Sequence, residues 1–334
     1  MILPSTEREV LMRRATIAST ALALGLAACT PKPPEVKPSP SAVPVLANGS
    51  FTAELDGFRV HYEVHGRGPV LMALTNSWGL SLPALRAMYR PLEERLTMVY
   101  FDPRGMGGSG PVREPADRGL AAVRADFLAL RAHLKLDRVN AIGWSNGAIN
   151  LVTLAKEHPE ALSSAIFVHG LASFSAEDGK RMQEKHPDIA KVYARLVADV
   201  SRPGITEAEQ TALLRRMWLE DYFPVLVADR SKAGETVDTV FRDAQLSFPH
   251  FAHANEESST FDFRPDLPSI RVASLVVAGA HDMLPPERVK VLADGIPGAR
   301  FVVLERSGHL GPVEEPEAFR SAVFDFLGVT DTPR

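Results

Sequence analysis

Val139-Asn140-Ala141-Ile142-Gly143-Trp144-Ser145-Asn146-Gly147-Ala148 is the stretch on which the fold turns. Residues 139–143 have the length and apolar character of a buried strand, and residues 148–158 have helical spacing. Between them sits Gly-x-Ser-x-Gly. In that context the pattern puts a serine on a sharp strand-to-helix turn, with its hydroxyl held out at the end of a sheet. Gly143 and Gly147 leave room for strand and helix to approach closely. The backbone N–H of Asn146 then faces the place where charge develops on an attacked carbonyl oxygen, with the positive end of the helix behind it. The bland reading is a glycine-bounded turn with an exposed serine. The flanking elements, and the partners found downstream, favour the reactive one.

Outward from this turn, strands alternate with helices. Residues 51–54 and 58–65 read as strands joined by Asp56-Gly57, a strong hairpin signal. Further strands are expected at 69–74, 97–101 and 165–169, with helices at 80–96 and 116–134. From 173 to 263 the alternation stops. That stretch offers helical patterns at 188–200, 207–218 and 237–248 and no clear buried strand. Alternation returns with a strand at 272–277, a helix at 286–293, a strand at 301–304 and a helix at 316–327. The expected architecture is α/β, a mostly parallel central sheet with helices on both faces. Its core comprises 51–172 and 264–334, and residues 173–263 form an inserted helical cap.

A serine hydroxyl is a weak nucleophile and needs a base within reach, and a histidine base needs a carboxylate to fix its tautomer. Two residues after the insertion supply them. Asp282 follows the strand at 272–277, and His309 follows the strand at 301–304, before the last helix. Loops at strand C-terminal ends are where an open α/β sheet places its site. With Ser145, Asp282 and His309 in that chain order, the sequence resembles the α/β-hydrolase superfamily over about residues 51–327. The resemblance implies that these three form a catalytic triad. It also implies an oxyanion hole made by Asn146 N–H and a second donor from a loop after an earlier strand.

That second loop is usually His-Gly followed by the donor. Here it is Asn76-Ser77-Trp78-Gly79, similar to the Asn-Ser-Leu-Gly of enol-lactonase-like members, and by position Trp78 N–H is the donor. Asp102-Pro103-Arg104-Gly105-Met106-Gly107-Gly108-Ser109 resembles the D-x-R-G-x-G-x-S loop of the superfamily, which implies a structural role. Trp144, beside the serine, and His169, ending a strand, are candidates to line the substrate pocket.

The serine at the elbow argues against haloalkane dehalogenases and epoxide hydrolases, whose relatives carry aspartate there. No H-E-x-x-H, Rossmann or Walker pattern occurs, so no metal or cofactor is expected. The remaining chemistry is acyl transfer from a small-molecule substrate, an ester or lactone, to water. The alternative is an aminopeptidase. Residues 102–109 and Phe261-Asp262-Phe263-Arg264-Pro265-Asp266-Leu267 look similar to proline iminopeptidases, which hold a substrate ammonium with cap carboxylates, and Glu256 and Glu257 stand in the matching stretch. The H-G-G-P-G motif of those enzymes is absent, which favours the ester or lactone. A non-catalytic binding role is a third reading, and the intact triad and elbow glycines speak against it.

A net charge of −4, with no Lys/Arg run in the body of the chain, argues against nucleic acid as partner. The single cysteine, Cys29, excludes an intrachain disulfide. Its position has its own meaning. Arg13-Arg14 precede an apolar run from Ala15 to Ala28, and Leu26-Ala27-Ala28-Cys29 resembles the bacterial lipobox, in which the cysteine is lipidated. Residues 30–50, rich in Pro, Ser and Ala, read as an extended tether. The expected location is the cell envelope, with the protein exported and anchored to a bacterial membrane through lipid on Cys29. Cys29→Ser is therefore expected to move the protein from the membrane fraction to the soluble fraction, because stable anchoring requires more than one acyl chain. A Cys29→Ser protein that still sediments with membranes contradicts the lipobox reading.

Overall fold

Asp56 and Gly57 both have positive φ, 48° and 81°. This is the backbone a two-residue hairpin turn requires. They join β1 (Gly49–Leu55) to β2 (Phe58–Gly66) in antiparallel register, Leu55 opposite Phe58. The computed structural model describes residues 45–76 and 78–329. The expected signal segment, Cys29 and the tether up to residue 44 lie outside the described residues. The tether expected to reach residue 50 stops earlier, because Gly49 and Ser50 already pair with β2. Among the described residues, no helix is long and apolar enough to cross a membrane.

After the hairpin come β3 (Val70–Ala73), α1 (Leu82–Tyr89), β4 (Thr97–Phe101), α2 (Leu120–His133), β5 (Val139–Trp144), α3 (Asn146–Glu157) and β6 (Leu162–Val168). The insertion opens with β7 (Ser173–Phe174). It continues through α4 (Ala176–Lys185), α5 (Pro187–Val200), α6 (Glu207–Arg216), α7 (Ala233–Phe241) and α8 (Phe248–Glu257), and closes with β8 (Phe261–Asp262). The core resumes with β9 (Ala273–Gly279), α9 (Pro286–Gly295), β10 (Arg300–Leu304), α10 (Gly311–Glu314) and α11 (Pro316–Leu327). Eight strands form one sheet in the order β1-β2-β4-β3-β5-β6-β9-β10. From β4 to β10 neighbouring strands are parallel, and β2 joins β4 antiparallel.

The sheet is covered on both faces, and the strands alternate between two cores. Leu71, Ile142, Ile166, Leu275 and Val277 face one side, against Leu85 and Met88 of α1 and Phe319 and Val323 of α11. Met72, Ala141, Phe167, Val276 and Ala278 face the other, against Phe127 of α2, Leu151 of α3 and Leu292 of α9. The period-two alternation, with apolar residues on both phases, explains why these strands read as continuous apolar runs.

The differences from sequence expectation lie at helix boundaries. The pattern over 80–96 becomes α1 and a 3₁₀ turn, Arg90–Glu94, because Pro91 has no N–H to continue the ladder. The pattern over 116–134 loses its first turn to a 3₁₀ segment, Pro115–Arg118, and Gly119. In the insertion, the expected helix over 237–248 stops at Phe241, and the next helix begins only at Phe248. α7 ends at Phe241, Leu246 bridges to Leu80, and Pro249 starts α8 in its first turn. Helix α4 was missed. Its reciprocal cap, Ser175 with Asp178, was visible in the sequence. The insertion packs on an aromatic cluster in which Trp218 contacts Phe223 and Phe251 at ring separations of 5.3 and 5.7 Å. The two-residue ribbon β7–β8 closes its base.

The loop at 102–109 is structural, as its pattern implies. Asp102 accepts from Leu82 N–H at 2.7 Å, Gly108 N–H at 3.0 Å and the His61 ring at 2.6 Å. Arg104, stacked over the Phe58 ring, bridges Asp117 and Asp126. Burial pushes the Asp126 carboxyl up, and Arg104 opposes it. Removing the guanidinium leaves that carboxylate buried and unpaired. Arg104→Ala is expected to lower unfolding free energy by about 3–5 kcal/mol, read by chemical denaturation. A loss below about 1 kcal/mol would show that the ion pair does not hold this loop.

Candidate active site

Ser145 has φ 52° and ψ −115°, a left-handed backbone that a non-glycine residue adopts only when its surroundings impose it. Its surroundings do. A Cβ on Gly143 would lie 2.4 Å from Gly147 O, and one on Gly147 would lie 2.9 Å from Leu74 O. Both are closer than real Cβ atoms approach, so β5 meets α3 only through glycine at 143, and α3 meets the segment after β3 only through glycine at 147. Ser145 N–H is bound to Val168 O at 2.8 Å, which fixes the turn to β6.

His309 lies after β10, with Nε2 3.1 Å from Ser145 Oγ. Its Nδ1 stands 3.0 and 2.9 Å from the two oxygens of Asp282. Asp282, after β9, has a fully buried side chain. Burial alone would push its carboxyl up. The charge and hydrogen bonds of His309 and His169 outweigh burial and hold it well below the usual carboxylate range. With its folded pKa depressed, Asp282 contributes stability that is present above the ordinary carboxylate pKa and is lost as pH falls towards the folded value. A hydroxyl bonded to an imidazole, itself bonded to a buried carboxylate, can give its proton to Nε2 as the oxygen attacks a carbonyl.

His169 does not line the substrate cavity. It is fully buried, at φ 53°, with Nδ1 2.7 Å from Asp282 Oδ2. Asp282 is thus gripped by two imidazoles, and Leu284 N–H donates to its other oxygen at 3.1 Å. His169, Asp282 and His309 are the one group among the described residues close enough together to hold a metal ion. The facing Nδ1 and carboxylate atoms are hydrogen-bonded to one another.

Sequence reasoning missed Glu314 and Glu315, which pin the His309 loop. Glu314 accepts from Gly308, Leu310 and Ala228 N–H groups, at 3.0, 3.0 and 2.7 Å. Glu315 accepts from Ser307 Oγ at 2.7 Å and Arg306 N–H at 2.6 Å. No motif marks these two adjacent glutamates before Pro316, and only the fold turns them inward. Trp144 lines the cavity and donates from Nε1 to His309 O at 2.9 Å.

Asn146 opens α3, so its N–H belongs to the helix's first turn, beside Ser145. Its side chain donates to Ser258 Oγ in the insertion at 2.9 Å. Trp78 N–H, the expected second donor, is bound instead by Asn76 Oδ1 at 2.8 Å. An asparagine side chain closing on the backbone two residues on is a common local competitor.

Above the serine, a cavity of about 1180 Å³ opens between the sheet end and the insertion. Its walls include Trp78, Trp144, Trp218, Tyr222 and Met283. Glu256 and Glu257 do not line it. Both are exposed, and Glu257 accepts from Leu120 N–H at 2.8 Å. No Asp, Glu or Arg appears among the described lining residues. The indole nitrogens of Trp78 and Trp218 and Nε2 of His186 are buried without a protein partner. The described wall therefore offers no carboxylate for an ammonium.

Residues 74–316 match the family described as alpha/beta hydrolase fold, and the chain belongs to that family. Among its relatives, 3-oxoadipate enol-lactonase 2 of Acinetobacter baylyi is 28% identical over 79% of this chain and 91% of its own length. The proline iminopeptidase of Levilactobacillus brevis is 24% identical over 70% and 79%. Among solved structures, the enol-lactonase from Burkholderia xenovorans LB400 superposes with a TM-score of 0.63 at 25% identity, covering 83% of this chain and 99% of that one. The protein is a hydrolase by family.

The two strand-end carboxylates differ in what they hold, and replacing each separates them. Asp282→Asn is expected to lower kcat on a p-nitrophenyl ester by about 10³–10⁴ with KM little changed, because an amide presents a donor and favours the wrong tautomer. Asp102→Asn is expected to lower stability and leave kcat within a few-fold. A folded, inactive Asp102→Asn beside an active Asp282→Asn would contradict the assignment.

Proposed function

We propose that this protein is a serine hydrolase that cleaves a neutral carboxylic ester or lactone through an acyl-enzyme on Ser145. The observation that carries the reading is the aligned chain Ser145–His309–Asp282 at a cavity whose described lining residues include no carboxylate. In the first step Ser145 Oγ bonds to the substrate carbonyl carbon as its proton passes to His309 Nε2. The carbonyl oxygen takes the electron pair, held by the Asn146 N–H and the end of α3. The pair returns, the C–O bond to the leaving alcohol breaks, and His309 supplies the alcohol with its proton. A water then adds to the acyl carbon in the same way, its proton passing through His309 to Ser145 as the acid leaves. A second donor at Trp78 N–H requires Asn76 Oδ1 to release it.

The aminopeptidase alternative needs an anion for the substrate ammonium. Glu256 and Glu257 stand outside the cavity, which favours the ester or lactone. The insertion, as a cap, selects the substrate, and lipid on Cys29 places the domain at a membrane of the cell envelope.

Ser145→Ala is expected to abolish hydrolysis of p-nitrophenyl esters, with a fall of more than a thousandfold. Its melting temperature should hardly move, since the hydroxyl's bond to His309 is a single part-buried contact. In the wild type, N-terminal-proline amides should be cleaved at least a hundred times less efficiently than esters. A preference for the amides would replace this reading with the aminopeptidase.

A further inference from the structure

The cavity is larger than the chemistry at Ser145 requires. It extends from the serine along the first two helices of the insertion. On α4 the lining positions Ala176, Gly179 and Gln183 fall on one helical stripe, and on α5 Ile189, Tyr193 and Val197 do the same. At 1.5 Å per residue, each stripe runs for roughly 10–12 Å.

Gly179 leaves space on the α4 side of the slot. A glycine inside a helix is disfavoured, so it needs a reason. Its φ is not left-handed, and a Cβ there would lie 3.7 Å from the Phe174 ring, an ordinary contact. Neither backbone conformation nor protein packing demands it. Ala190 and Ala194 on α5 line the same slot. Three serines on the wall are engaged, Ser175 with Asp178, Ser258 with Asn146 and Ser259 with Glu256 O, and Gln183 is exposed to solvent. The one formally charged lining residue, Lys191, is exposed and paired with Asp188.

Resting on the serine-hydrolase reading, we infer that the α4–α5 slot binds an unbranched aliphatic arm of the substrate, so that the enzyme prefers medium-chain acyl esters. A zigzag of C–C bonds near 1.5 Å advances roughly 1.3 Å per carbon, so about eight carbons fill the slot. An apolar chain moved from water into such a slot gains in proportion to its buried methylenes.

The test is kcat/KM for p-nitrophenyl acetate, butyrate, hexanoate, octanoate and decanoate, with the whole protein, below the micelle concentration of each ester. Efficiency should rise about two- to fourfold per added methylene up to about eight carbons and then level off. Gly179→Phe, which fills the slot, should cut the octanoate-to-acetate ratio at least tenfold. Ala194→Leu, a smaller intrusion, should cut it in the same direction and guards against a misfolded Gly179 variant. A wild-type optimum at acetate or butyrate, or ratios unmoved in a folded variant, would overturn the aliphatic slot while leaving the hydrolase reading intact. Failure to cleave any ester of any length would instead bring down the serine-hydrolase reading, and the slot with it.

Discussion

The left-handed backbone of Ser145 is the constraint on which the remainder depends. It is a disfavoured conformation, and it persists because β5 and α3 are driven together by the apolar residues on either side of them. The close approaches at this turn are open only to Gly143 and Gly147. One turn thereby fixes three things: the hydroxyl is lifted from the sheet end, the Asn146 N–H lies beside it, and the axis of α3 points at both. The five-residue pattern and the buried runs around it are one mechanical unit.

Around that turn, the structure holds a buried carboxylate where burial opposes its charge. Two imidazoles and a backbone N–H keep Asp282 ionised. His309 is in turn held by a loop whose N–H groups converge on Glu314, and that same carboxylate takes Ala228 N–H from the insertion. Together with the bonds from Asn146 to Ser258 and from His309 N–H to Leu226 O, this ties the reacting residues to the insertion at three places. A change in the insertion is therefore felt at the serine.

The parts legible in the sequence are those whose physics is local. Strand-length apolar runs, the Asp56-Gly57 turn and the elbow can each be read within ten residues. The order Ser145, Asp282, His309 followed from strand ends. What escaped needed the third dimension. His169 read as a pocket residue because it ends a strand, yet its positive φ turns it behind the site to the acid. Glu256 and Glu257 matched a stretch of another family, and the helix carrying them turns them to solvent. Asn76 is two residues from Trp78, and only the loop's geometry reveals that its side chain takes the expected oxyanion donor. The helix expected over 237–248 breaks off after Phe241, and Pro249, just beyond that span, instead marks the first turn of the next helix.

The acyl-enzyme and the slot both presuppose that Ser145 Oγ is the atom that attacks. The most direct measurement is covalent: treat the folded protein with a fluorophosphonate at neutral pH, digest it, and locate the adduct by mass spectrometry. The account predicts one adduct, on Ser145, because that hydroxyl is bonded to His309, lines the cavity and stands at the N-terminus of α3. An adduct on another serine, or none on a protein shown to be folded, would contradict it.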